Sequence, residues 1–300
     1  MLQTLLRTEP DDPSIVEPED LFSSALSTLF PDDCTVQHGD TQSALVYASA
    51  YGSLRLRCAD VNGETERTKF AHYLWNAGLL MGELVGGPGK EALEDRAELK
   101  DLKGGWWVDG EEESRWLTMD QSVLELGAGV GLAGIVSILA GARKVVSTDY
   151  PAPALIKTLE LNVHKNTPSE IMGNVSVEPH LWGDITSKWA KSQAHSFTRI
   201  LAADTLWLAG QHENLAQSMA HFLARESSAR VFMVAGFHTG RAKVAHFFEI
   251  IDSVRLVIED IYEMDVTGNR REWSTCRQDP VGSGKRWLVL AILRWKDGVI

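Results

Sequence analysis

Three cysteines, Cys34, Cys58 and Cys276, are all that this chain of 300 residues contains. They are odd in number, far apart and form no C-x-x-C pair. That excludes a disulfide framework and a thiolate zinc site and points to a reducing compartment. Positive charge is also in short supply. Lys and Arg number 29 against 41 Asp and Glu, a formal net charge of −12. Binding a phosphate backbone needs a basic face, so nucleic acid is not expected as a partner. A cationic substrate or a basic partner is compatible with this balance. No run of about eighteen apolar residues occurs, so no membrane span is expected. The opening Met1-Leu-Gln-Thr-Leu-Leu-Arg-Thr-Glu-Pro10 lacks a long apolar core and soon turns acidic, unlike a secretory signal. A cytoplasmic location is the expectation, and the sequon Asn174-Val-Ser176 then carries no meaning.

What is present is an ordinary globular composition, 44% hydrophobic and 23% charged, on a length suited to one large α/β domain or two small ones. Residues 1–42 are rich in Asp, Glu, Pro and Ser and read as an N-terminal arm with a short helix near Leu21–Leu29. Residues 43–300 read as one domain without internal repeats. Ser43–Ala59 predicts a β-hairpin around Gly52, with Leu54 and Leu56 alternating against Arg55 and Arg57. Phe70–Val85 has helical spacing. Residues 86–113 break the pattern and read as a surface loop.

A regular alternation follows. Strands are expected at Ser122–Leu126, Lys144–Thr148, Val175–Leu181, Arg199–Ala203, Arg230–Gly236, Leu256–Glu263 and Arg286–Leu293. Helices are expected at Leu132–Gly141, Ala152–Asn166, His212–Ala224 and Arg241–Asp252. Strands alternating with helices indicate a mostly parallel sheet. A long polar segment separates the last two strands, which suits an antiparallel pair at one edge.

The densest signal is Val123-Leu-Glu-Leu-Gly127-Ala-Gly129-Val-Gly131, with Asp149 eighteen residues beyond Gly131. It reads as a buried strand ending in a carboxylate, a glycine turn, a helix, and a second strand ending in a carboxylate. That is the layout of a nucleoside-binding half of an open α/β sheet. Gly129-Val-Gly131-Leu-Ala-Gly134 also satisfies the dinucleotide pattern G-x-G-x-x-G, but a lone match is weak. Glu125 would point where a pyrophosphate lies, which is electrostatically poor for NAD. The same carboxylate suits the cationic amino-acid end of S-adenosylmethionine (SAM). Asp149, at the tip of the next strand, suits ribose hydroxyls.

At these residues the chain resembles the seven-strand, family 16 methyltransferases, which modify lysines and N-termini of proteins. The resemblance spans about residues 43–295. It is carried by Glu125–Leu132, Thr148-Asp-Tyr-Pro151, Leu74-Trp-Asn-Ala-Gly78, Leu181-Trp-Gly183 and Leu201-Ala-Ala-Asp-Thr-Leu-Trp207. Within the family it is most similar to the fungal branch that includes the elongation factor 1-alpha N-terminal methyltransferase, a branch also labelled nicotinamide N-methyltransferase-like. The resemblance implies a class I Rossmann-like methyltransferase fold: a seven-stranded, mostly parallel sheet with an antiparallel edge strand, plus the N-terminal hairpin. It implies a monomer that uses SAM and acts on a protein, with a translation factor as one acceptor.

The cofactor contacts so implied are Trp75, Glu125, Gly127, Ala128, Gly129, Asp149, Trp182 and Ala203. Trp182 would stack on adenine, and the small Ala203 would let the cofactor lie against backbone. The acceptor side falls to Asp204, Trp207 and His238. Asp204-Thr-Leu-Trp207 stands where the family shows acid-x-x-Tyr or acid-x-x-Phe, and the change to Trp leaves the acceptor geometry open. His238, in Phe237-His-Thr-Gly-Arg241, suits a proton relay, a task for which imidazole is the usual side chain. Arg241 would pin a carboxylate or close the loop. His212 is a weaker candidate, read as a cap or surface residue, and Asp265–Trp273 reads as either a cleft lining or a solvated loop. The expected chemistry is direct in-line N-methyl transfer with no metal and no covalent intermediate. Three other readings stay open: a small-molecule N-methyltransferase, a silent scaffold binding partners through the Trp-rich 104–117 segment, and an NAD oxidoreductase.

Overall fold

A computed structural model describes residues 2–10, 36–60, 73–87, 114–280 and 283–300. The predicted helix near Leu21–Leu29 and nearly all of the 86–113 loop lie outside these residues. No described helix is long and apolar enough to cross a membrane.

The first element is a small three-stranded sheet. β1 (Leu6–Pro10) pairs antiparallel with β3 (Ser43–Ser49), which continues into β4 (Gly52–Arg57). The hairpin is as the alternation predicts, with Leu54 and Leu56 buried and Arg55 and Arg57 half-exposed. The arm contributes more than expected. Leu2 is fully buried, and its N–H donates to Val266 O at 3.0 Å, so the start of the chain packs on the main domain. A two-stranded pair, β2 (Gln37–His38) with β5 (Leu74–Trp75), precedes α1 (Asn76–Gly86). Helical spacing alone had carried the helix back to Phe70; pairing with β2 instead holds Leu74 and Trp75 extended.

The main sheet has eight described strands. They are β6 (Ser122–Leu126), β7 (Lys144–Asp149), β8 (Val175–Pro179), β9 (Arg199–Ala203), β10 (Arg230–Gly236), β11 (Leu256–Asp265), β12 (Arg270–Glu272) and β13 (Trp287–Trp295). Their order is β12-β11-β13-β10-β9-β6-β7-β8. Strands β10, β9, β6, β7 and β8 run parallel, while β13, β11 and β12 are antiparallel to their neighbours. This is an open, Rossmann-like α/β architecture with helices on both faces of the sheet. The count exceeds the expected seven because three residues of the polar run 265–273 turn back on β11 as β12.

Alternation of side chains sends Val123 to one face and Leu124 and Leu126 to the other. The first face packs on α1, on α2 (Leu132–Leu139) and on Leu159 and Val163 of α3 (Pro153–Asn166). The second packs on Ala190 of α4 (Lys188–Ser192), a short helix the sequence reading missed, and on α5 (His212–Phe222) and α6 (Arg241–Ile250). Helix α3 starts with Pro153 at its first turn, where a missing N–H costs nothing, and stops before Thr167-Pro168.

Two asparagines of α3 lock the small sheet to the domain. Arg57 N donates to Asn162 Oδ1 and Arg55 N to Asn166 Oδ1, each at 2.8 Å. The Nδ2 of each asparagine returns a bond of 2.9 Å to the carbonyl of the same arginine. The exposed edge of β4 is thereby paired with side chains rather than with another strand.

Candidate functional site

Strands β6 and β9 are neighbours, but their connections leave in opposite directions across the sheet. Such a switch opens a crevice at the carboxyl ends of the strands. A cavity of about 220 Å³ lies there. All eight residues assigned to cofactor binding line it: Trp75, Glu125, Gly127, Ala128, Gly129, Asp149, Trp182 and Ala203. Asp204 and Trp207 line it too. His238 does not; it lines a smaller adjoining cleft that shares Trp75 and Asp204 with the main cavity.

The glycine turn is built for close approach. Gly127 has φ +71°, and a Cβ there would fall 3.0 Å from Thr205 Cγ2 and 3.1 Å from Trp182 Cζ2. Ala128 N donates to Thr148 O at 2.9 Å, and Thr148 Oγ1 to Glu125 O at 2.8 Å, tying the turn to the tips of β6 and β7. The last glycine of G-x-G-x-x-G has a different task. A Cβ on Gly134 would sit 2.3 Å from Ser147 Oγ and 2.5 Å from Glu125 Oε2. It is absent because a buried carboxylate lies against the helix there.

That carboxylate is placed differently from the sequence expectation. Glu125 borders the cavity, but its Oε2 is turned into the protein. It accepts from Ser147 Oγ at 2.8 Å and from Gly134 N at 3.1 Å. Burial pushes its pKa up to about 7, against the opposing pull of the Ser147 and Gly134 bonds. Asp149 is also buried and raised, to about 6. Its Oδ2 accepts from Gly129 N and its Oδ1 from Tyr150 N, each at 2.6 Å. The second acid therefore holds the glycine turn from the neighbouring strand, and it borders the cavity as well.

Asp204 directly follows β9 in a left-handed conformation, φ +54°, sparsely populated by residues other than glycine. Its N–H donates to Val234 O at 2.8 Å, and its Oδ1 accepts from Gly236 N at 3.1 Å. Burial raises its pKa, and the nearby imidazole of His238 opposes the rise. His238 Nδ1 lies 3.9 Å from Asp204 Oδ1, and its ring stacks on Trp75 at 4.8 Å between centroids, 20° from parallel. A carboxylate, an imidazole and an indole thus converge where the two cavities meet.

Other expectations resolve differently. His212 is buried, and its Nε2 bonds to Leu206 O at 3.0 Å; it is a core residue, neither at the surface nor at the site. Of the Trp-rich 104–117 segment only residues 114–117 are described, and Trp116 there is buried against Phe232 with centroids 4.9 Å apart. That indole is core, not a partner-binding surface. Arg241 does pin carboxylates, those of Glu263 and Asp279. Tyr73, Thr205 and Leu208 also border the cavity and were not singled out. Their positions in the sequence are the available signal: Tyr73 directly precedes Leu74-Trp75, Thr205 lies inside the Asp204–Trp207 segment, and Leu208 directly follows it.

Residues 60–254 match the family model described as lysine methyltransferase. The protein N-terminal and lysine N-methyltransferase efm7 of Schizosaccharomyces pombe is 33% identical over 200 residues, 65% of this chain and 68% of that one. Its counterpart in Emericella nidulans is 25% identical over 239 residues, covering 76% and 81%. The counterpart in Cryptococcus neoformans (strain B-3501A) is 32% identical over 120 residues, covering 39% and 40%. Among solved structures, a protein of Streptococcus mutans assigned as a SAM-dependent methyltransferase matches with TM-score 0.50 at 11% identity. It covers 92% of this chain and 65% of that one. Another, assigned as a methyltransferase and complexed with SAH, matches with TM-score 0.50 at 12% identity, covering 92% and 66%. At these identities the likeness is one of fold.

Proposed function

This chain belongs to the lysine methyltransferase family, and from that premise we propose that it transfers methyl groups from SAM to a lysine or N-terminal amine of a protein. The observation that carries the reading is the meeting of the two cavities at Asp204, beside the glycine turn and the two buried strand-end acids. The fit to SAM rests on the cavity itself. The glycine turn, the Trp182 indole and two carboxylates line it, and a Cβ on Gly127 would press on Trp182 and Thr205. A dinucleotide would bring its pyrophosphate against those acids.

When bound, SAM supplies a methyl group already activated by its sulfonium. The chain's own work is binding, orientation and proton management. Gly127, Ala128 and Gly129 let backbone approach the nucleoside. Asp149 keeps lone pairs for the ribose hydroxyls while it holds Gly129. Trp182 would cover the adenine, Ala203 would leave room beside the strand end, and Trp75, which also lines the cavity, would add a second aromatic contact. Glu125 acts through its charge beside the amino-acid end rather than by a side chain extended into the cavity. Asp204 and Trp207 flank the acceptor amine; the carboxylate favours the cationic amine on arrival, and the indole face adds cation–π attraction. His238, partly exposed at the outer cleft, takes the amine's proton at an imidazole nitrogen and passes it to solvent.

The same reading extends to a translation factor as acceptor, a monomeric enzyme and a cytoplasmic location, supported by the family resemblance and the acidic composition. Incubating the recombinant protein with methyl-labelled SAM and a cell lysate tests the central point. Label in the macromolecular fraction, on an amine by peptide mass spectrometry, is the expected result. Label confined to small molecules, or transferred nowhere, refutes it.

A further inference from the structure

Glu263, near the end of β11, has a fully buried side chain. Two arginines grip it. Arg241 Nη1 and Nη2 reach its Oε1 and Oε2 at 2.5 and 3.0 Å, and Arg271 Nε reaches Oε2 at 2.8 Å. The same two arginines hold a second acid. Asp279 accepts from Arg241 Nη2 at 2.9 Å and from Arg271 Nη1 and Nη2 at 2.8 and 3.0 Å. Arg241 further donates to Ser274 O at 3.0 Å, and its guanidinium lies 3.9 Å from the centre of the Phe237 ring. Phe237 in turn stacks on Trp273 at 6.0 Å, 18° from parallel.

These contacts tie three segments together: the loop from β10 into α6, the β11–β12 pair, and the connection 273–280. None of the four charged residues lines the main cavity or the outer cleft. Phe237 and His238 do line the outer cleft, next to Asp204. The loop that carries them runs from Gly236 to Gly240, the latter at φ +103°, so the backbone at its ends is permissive. His238 itself is held by a ring stack and by a 3.9 Å approach to Asp204, which is too long for a hydrogen bond. The rigid anchor of the loop is therefore Arg241, one residue past Gly240. A buried ion-pair network contributes little net stability relative to apolar packing; what it supplies here is a fixed geometry.

We propose that Arg241, gripped by Glu263 and Asp279, is a positioning residue for the methyl acceptor, acting through His238 on the loop it anchors. This rests on the acceptor role given to His238 above. The variant of choice is Asp279→Asn, because Glu263 still partners both arginines and the fold is kept. Steady-state kinetics with the protein acceptor found by lysate labelling are run on wild type, Asp279→Asn, His238→Ala and the double variant. SAM affinity is measured by calorimetry on each.

Asp279→Asn is expected to lower kcat/KM for the acceptor about tenfold, with SAM affinity within about twofold of wild type, and the drop is expected to vanish in the His238→Ala background. A drop of equal size in that background, an unchanged kcat/KM, or a parallel loss of SAM affinity overturns the proposal. Wild-type protein that labels no protein acceptor fails at an earlier stage; it removes the parent reading, and this one with it.

Discussion

Replacing Glu125 by Gln separates the stability cost of the buried carboxylate from its use. The group is 4% exposed, and its pKa is raised from 4.5 to about 7, chiefly by desolvation, with Asp149 adding repulsion. An acid whose pKa rises on folding binds its proton more tightly in the native state. Its ionisation therefore destabilises the fold as pH climbs. The penalty is absent below the unfolded pKa, grows between about 4.5 and 7, and is complete above that. A shift of this size is worth about 3 kcal/mol at pH 8 and below about 1 kcal/mol at pH 5. Gln keeps an oxygen for Ser147 Oγ and Gly134 N but cannot ionise.

The ligand-free variant should thus be more stable than wild type at pH 8 by up to about 3 kcal/mol. For a chain of 300 residues that is about 5 °C in Tm, from an unfolding entropy of about 2 cal/mol/K per residue. The gap should close toward pH 5. SAM affinity should move the other way, weakening about 10- to 100-fold, as expected when a charge near a cationic ligand is removed. Urea unfolding across pH 5–8, with calorimetric titration of SAM, reads both. A Gln variant no more stable than wild type at pH 8 would falsify the desolvation argument, and unchanged SAM affinity would end the cofactor role of Glu125.

Two further outcomes are expected. Asp204→Asn should reduce kcat/KM for the acceptor about 10- to 100-fold while SAM affinity stays within about twofold; stopped-time methylation assays beside calorimetry check this, and an unchanged kcat/KM removes the assigned role. Gly134→Ala should destabilise the protein by about 2–3 kcal/mol, since the new methyl collides with Ser147 Oγ and Glu125 Oε2 and breaks their bond. A Tm within a degree of wild type would show that helix α2 shifts freely at that point.

Where a segment's neighbours are local, the sequence was enough to read it. The β6 strand, glycine turn, α2 and β7 follow from alternation, from a left-handed Gly127, and from helical apolar spacing. The β3–β4 hairpin followed from Leu54 and Leu56 against two arginines. The misses involve distant partners. Leu74 and Trp75 have helical spacing but pair with Gln37 and His38. The eighth strand is three residues with no apolar alternation, held by β11. Trp116 reads as exposed in a polar, glycine-rich stretch, yet it fills the core beside Phe232.

The candidate site divides in the same way. Residue types, spacing and the two strand-end acids were decided by the sequence, because a period of two residues in a strand and the chemistry of glycine and carboxylate act locally. Direction and charge state were decided only by the folded molecule. Glu125 turns inward because Ser147, one strand away, and Gly134, one helix turn into α2, offer donors there and close the space around it. Arg241, Glu263, Arg271 and Asp279 become one cluster because strand β11 and the 273–280 connection fold back on the loop after β10. Desolvation and ion pairing depend on what lies within a few ångströms in space, and no spacing along the chain specifies that.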